Sequence, residues 1–237
     1  MKKKKVLFVL FIILALPYAP SAGELYLIKG KGVPVCEALY KNLKELNFFE
    51  DMVCERDKYY PDQYGITRPK WEELNLKENK DLLKKIKKFL EDGDQFKKIR
   101  MYDDEGEFEG YLKLVSDIGD RMLFMKVDID NDGKQDKLIL YNDGRCMDTH
   151  VYSRALLVLD EVNNQIDVKK TEPLLQNTAD PRAPIEAKVI SHYQMYDVFF
   201  YKHQTYFDRW DTDDRTGTVY IDSKGITKEV CKYKYKK

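Results

Sequence analysis

"RMLFMKVDIDNDGKQDKLILY", residues 121–141, decides the fold. Its two apolar runs, "RMLFMKVDI" and "KLILY", are too short for helices and fit strands. Between them Asp128, Asp130, Asp132 and Asp136 fall within nine residues, with Gly133 at the sharp point of the link. A strand, an acidic turn and a second strand make a hairpin.

Downstream the same texture continues. "NDGR" is a hairpin turn signal, and "EVNN" is read as another, between "HVYSRALLVLD" and "QIDVKKT". "AKVISHYQMYDVFFYK", "QTYFDRW", "GTVYID" and "TKEVCKYKY" follow as short runs rich in aromatic and β-branched residues, the composition of a half-buried sheet. Along "DVFFY", Val198 and Phe200 are expected inward, Phe199 and Tyr201 outward. The aromatic crowd between Tyr193 and Trp210 invites a carbohydrate or peptide platform, but core packing explains it better, since strands recruit aromatics.

Upstream the period changes. Val35, Leu39, Leu43 and Leu46 share one helical face over residues 35–46. Leu82, Leu83, Ile86, Phe89 and Leu90 form an apolar stripe over 79–91, with Lys84, Lys85, Lys87 and Lys88 toward water and Gly93 ending the helix. The stretch between is aperiodic and reads as an ordered loop, pinned by Cys54 and anchored in the core by Trp71. The expected fold is α+β: mainly an antiparallel β meander with two N-terminal helices. The expected organisation is a signal peptide over 1–22, a helical segment with a disulfide loop over 23–100, and a β-rich domain over 101–237.

The acidic loop carries the chemistry. In a calcium loop, carboxylates at positions one, three and five converge, glycine at six allows the turn and position seven offers its carbonyl. Here these are Asp128, Asp130, Asp132, Gly133 and Lys134. An EF-hand also requires a bidentate Glu at position twelve; that position is Ile139. Asp136, at position nine, closes the set instead. The bland alternative is an Asx-rich turn without metal, in which four like charges would repel. An all-oxygen set favours calcium over zinc.

The pattern Asp-x-Asp-x-Asp-Gly-x-x-Asp followed by an apolar strand resembles the calcium loop of FG-GAP-type repeats of integrin propellers. The resemblance covers only the loop and its following strand and implies bound calcium. There is no second good copy; "DTDDRTG" has its acids at the wrong spacing. A propeller needs several blades of about 40 residues each, so propeller adhesion does not transfer. The whole chain is also similar to exported bacterial proteins of unassigned function that share "VCEALYKNL", "MVCER", "RPKWEEL" and "VDIDNDGKQD".

The first residues address the compartment. Lys2 to Lys5 precede an apolar run over 6–16, then Pro17, Pro20 and small residues. That is the layout of a secretory signal peptide, shorter than the roughly 20 residues of a membrane span. Cleavage is expected near Ala22, with Ser21 and Gly23 as neighbouring choices. The chain has 41 basic and 41 acidic residues; without the signal's four lysines the balance is −4. That charge argues against nucleic acid, which demands a basic face. No membrane span is expected after cleavage. Cys36, Cys54, Cys146 and Cys231 form an even set in an exported chain, which reads as two disulfides. Of three connectivities, Cys36–Cys54 with Cys146–Cys231 is expected.

Catalytic signals are weak. Cys146 and His150 can be drawn as a nucleophile and base, but a disulfide suits an oxidising compartment better. His192 and His203 fall on expected strands, and no His, Cys and Asp spacing suits zinc. No catalytic residue is nominated. The expected function is an exported, periplasmic or secreted calcium-binding protein, a binding or inhibitor-like module with a macromolecular partner. The alternative is a calcium-dependent envelope hydrolase.

Overall fold

The computed structural model describes residues 24–45, 62–91, 105–142, 154–160, 162–175, 194–211, 216–223 and 226–236. The expected signal peptide, Cys54, Gly93, the "NDGR" turn, Cys146, His150 and His192 lie outside these residues.

The acidic hairpin forms as read. Strands β4 (Arg121–Val127) and β5 (Asp136–Asn142) pair antiparallel with Val127 opposite Asp136. With β3 (Glu72–Glu73) and β6 (Arg154–Leu159) they make a four-stranded sheet in the order β3-β4-β5-β6. A second sheet holds β7 (Gln194–Tyr201), β8 (Gln204–Asp211), β9 (Thr216–Ser223) and β10 (Ile226–Lys236) as a meander. Two N-terminal strands complete its edges: β1 (Glu24–Lys29) beside β10 and β2 (Ile66–Thr67) beside β7. All strand pairs are antiparallel, and the architecture is α+β in stacked sheets rather than radial blades.

Period-two alternation puts successive side chains on opposite faces, and both faces of both sheets are used. On the smaller sheet Met122, Ile139, Tyr141, Ala155 and Leu157 turn toward helices α2 (Lys80–Glu91) and α3 (Glu105–Ile118). Leu83 and Ile86 of α2, and Phe108 and Leu112 of α3, meet them there. Leu123, Met125, Leu138, Leu140, Leu156 and Val158 point the other way, onto Val198 and Phe207 of the larger sheet. The far face of that sheet, with Phe199, Tyr206, Trp210, Val219 and Tyr233, is covered by α1 (Pro34–Glu45) through Val35, Leu39 and Leu43. The layers therefore run α, β, β, α.

Several expectations change. Phe199 is fully buried, not outward, because α1 covers the face it points to. Trp71 does anchor on the central core. Lys87 does not face water: its ammonium turns in to Asp120, 3.3 Å away. Helix α3 lies beyond residue 100, where strands alone were expected; Phe108, Tyr111 and Leu112 give it an apolar face despite Gly106 and Gly110. "QIDVKKT" is not a second hairpin arm. After one bridge, Leu159 to Ile166, the chain enters helix α4 (Val168–Leu175). Asp167 caps it, its Oδ1 accepting the Lys170 N–H at 3.0 Å, the usual reason a helix starts there. His203 lies in the two-residue turn between β7 and β8 at φ 63°, not on a strand.

The disulfide pairing is also corrected. Cys36 bonds to Cys231, with Cα atoms 5.7 Å apart and a sequence separation of 195. β1 runs alongside β10, with Leu27 opposite Tyr233. The short turn after β1 then lays the first turn of α1 over β10. Gly30, at φ +93°, makes that turn; a Cβ there would stand 2.5 Å from Cys36 Sγ. With Cys36 and Cys231 joined, neither Cys36–Cys54 nor Cys146–Cys231 forms.

Candidate metal centre

The β4–β5 loop is built from its own carboxylates. Asp128 Oδ1 and Oδ2 accept the N–H groups of Asp132 (3.0 Å) and Gly133 (2.8 Å). Asp132 Oδ1 accepts Lys134 N–H at 2.8 Å, and Asp136 Oδ2 accepts Ile129 N–H at 3.3 Å. Asn131 and Gly133 take positive φ, 54° and 93°, which Asn and Gly tolerate best. Ile129 drops into the core between Asp128 and Asp130, so those two carboxylates flank a buried anchor.

Three of the expected ligands come together. Asp128, Asp130 and Asp136 each present a carboxylate oxygen, all within 4.8 Å of one another. Asp132 is exposed and outside that group, and Lys134, expected to offer its carbonyl, is exposed. Asp136 is buried, and Asp130 Oδ1 is buried without a hydrogen-bond partner. Calcium holds its oxygens at about 2.3–2.6 Å, so opposite ligands can stand up to about 5 Å apart. The cluster fits a metal ion by size and donor type, and the orphaned Asp130 oxygen is the kind of group an ion satisfies.

Two contacts were not visible in the local sequence. Lys170 Nζ lies 2.5 Å from Asp136 Oδ1 and 3.7 Å from Asp130 Oδ2. Burial works against the Lys170 charge, but the hydrogen bond to Asp136 and the charges of Asp136, Asp130 and Asp132 outweigh it and raise its pKa. The Asp130 carboxyl is held above its ordinary value: burial pushes it up, Lys170 pulls it down, the charges of Asp132 and Asp136 push it further up, and the Asp132 backbone N–H pulls it down. The second contact is a clasp to the larger sheet. Asn131 Oδ1 accepts Thr205 N–H at 2.9 Å, its Nδ2 donates to Asp222 O at 2.7 Å, and Thr205 Oγ1 donates to Asp128 O at 2.6 Å. An Asn at a left-handed loop position is the one local hint of this role.

An open cavity of about 610 Å³ lies elsewhere, lined by Glu73, Leu74, Asn75, Lys77, Asp120 and Arg121 among others. Both of its carboxylates are engaged. Glu73 accepts two hydrogen bonds from Arg121, at 3.1 and 3.2 Å. Asp120 Oδ2 accepts the hydroxyls of Tyr111 and Tyr141.

Among the described residues no helix is long and apolar enough to cross a membrane. Comparison with protein-family models, curated proteins and solved structures finds no match for the chain.

Proposed function

We propose that the protein is an exported calcium-binding protein, in which the ion fixes the β4–β5 loop and the clasp it makes on the larger sheet. The observation that carries this is the convergence of Asp128, Asp130 and Asp136, together with an Asp130 Oδ1 that is buried without a hydrogen-bond partner. Asp132 and the Lys134 carbonyl would join as further ligands. Oxygen donors alone suit a hard cation, and an irregular set suits calcium better than octahedral magnesium. The Cys36–Cys231 bond supports export, because such bonds persist in oxidising compartments.

The role is structural rather than catalytic. The loop is tied to both sheets, so an ion there stiffens the molecule at their junction. The protein would act as a binding or inhibitor-like module toward another macromolecule. An extracellular type of site binds at about 10⁻⁴–10⁻³ M. At ten times the dissociation constant the gain is about 1.4 kcal/mol. Titration calorimetry of the mature protein with CaCl₂ should give a dissociation constant in that range, and EDTA should lower Tm. No heat of binding together with an unchanged Tm would overturn the proposal.

A further inference from the structure

Lys170 sits in the first turn of α4, three residues after its cap Asp167. A helix N-terminus carries partial positive charge, so a lysine there is electrostatically misplaced by its own helix. Its ammonium is turned instead onto Asp136 and Asp130, two of the three carboxylates that converge at the loop. The helix itself is pinned one residue later. Thr171 Oγ1 accepts Val158 N–H at 3.0 Å and donates to Val158 O at 3.4 Å, and is buried. The Lys170 side chain is 37% exposed, so it can swing into water while α4 stays on β6.

An ammonium 2.5 Å from Asp136 Oδ1 and a divalent ion held by the same carboxylates repel each other. We propose that Lys170 is the resident cation of the loop: it neutralises Asp130 and Asp136 in the metal-free protein and must leave when a divalent cation binds. This rests on the reading of the loop as a calcium site. It makes Lys170 the residue that sets the affinity of the site.

The consequence is a reciprocal signature that a purely structural lysine would not show. Removing the ammonium leaves the acids repelling in the metal-free protein, yet frees their oxygens for the ion. The test compares wild type, Lys170→Met, Lys170→Arg and Lys169→Met, by calorimetry with CaCl₂ and by thermal melts in EDTA and in calcium. Lys169 is exposed and adjacent, so K169M removes the same charge without touching the loop. The expected result is at least tenfold tighter calcium binding by K170M, with a lower Tm in EDTA and a larger rise on adding calcium. K170R and K169M should bind no tighter than wild type. Equal affinity in wild type and K170M overturns it while leaving the calcium site standing. Absence of binding in both overturns the site and the exchange together. If K170M does not fold in EDTA, recovery of the fold in calcium supports the exchange, and failure to recover overturns it.

Discussion

Asn131 exchanges hydrogen bonds with the backbone of Thr205, 74 residues away: Oδ1 accepts the Thr205 N–H at 2.9 Å, and Nδ2 reaches its carbonyl at 3.4 Å. The same Nδ2 donates to Asp222 O at 2.7 Å. One amide thus bridges β8 and β9 from a loop of the other sheet. Its backbone, at φ 54°, tolerates few residues better than Asn. Asn131→Ala removes these bonds and leaves partly buried backbone groups to find water. Each such loss costs about 0.5–1.5 kcal/mol, so a destabilisation of about 2 kcal/mol is expected in urea denaturation. Thr205→Val, which removes only the hydroxyl bond to Asp128 O, should cost about 1 kcal/mol. Equal, near-zero losses would show that the clasp does not hold the sheets.

The covalent counterpart is Cys36–Cys231. Closing 195 residues of chain is worth about 5 kcal/mol in the chain-entropy model. Cys36→Ser with Cys231→Ser should therefore remove a large part of the stability of the fold, seen as a lower denaturation midpoint. Non-reducing peptide mapping should recover the Cys36 peptide bound to the Cys231 peptide. Recovery of Cys36 with Cys54 would contradict the placement of α1 on β10.

What could be read in the sequence follows the range of the interactions. Val35, Leu39 and Leu43 announce α1 because one helix face is a local property. The β4–β5 hairpin is legible for the same reason, since its turn and both strands are contiguous. Helix α4 is hidden because "QIDVK" alternates like a strand, and among its described side chains Thr171 and Leu174 are the buried ones. The Asp167 cap was the available signal. The Cys36–Cys231 bond is not legible locally because it depends on β1 pairing with the last strand, a contact no local pattern encodes. Asp128, Asp130 and Asp136 were legible as a group, whereas Lys170, 34 residues past Asp136, enters only through the packing of α4 on β6.

Asp160 gives a pH test away from the loop. Asn163 N–H, at 2.6 Å, is the main cause holding its carboxyl below the usual range; slight burial opposes it, and Val162 N–H, Gln165 N–H and the charge of Lys137 reinforce it. The unfolded carboxyl titrates near about 3.9. A depressed folded pKa means the contribution is complete above that value and is lost as pH falls through the folded pKa. Asp160→Asn should therefore lower the urea midpoint at neutral pH, and the gap from wild type should close on acidification below about pH 4. A gap that persists unchanged at pH 2 would rule out the ionised carboxylate as the cause.

Lys87 and Asp120 supply the last test. Asp120 is buried beneath α2 and α3, and its Oδ2 is 3.3 Å from Lys87 Nζ and 2.7 Å from the Tyr141 hydroxyl. The ammonium also lies 5.2 Å from the Tyr111 ring centre and 5.0 Å from that of Tyr141, close enough for cation–π attraction. The Lys87 side chain is 12% exposed, so water screens the pair poorly. Lys87→Met keeps the aliphatic stem but takes the cation away from a buried carboxylate. Breaking one side of a buried pair costs about 3–5 kcal/mol. Lys85→Met, on the exposed side of the same helix, changes the same charge and should stay within about 0.5 kcal/mol of wild type. Urea denaturation of the two variants at neutral pH separates the effects. Similar midpoints for K87M and K85M would mean that Lys87 acts only as a surface lysine and that Asp120 is held by its tyrosines.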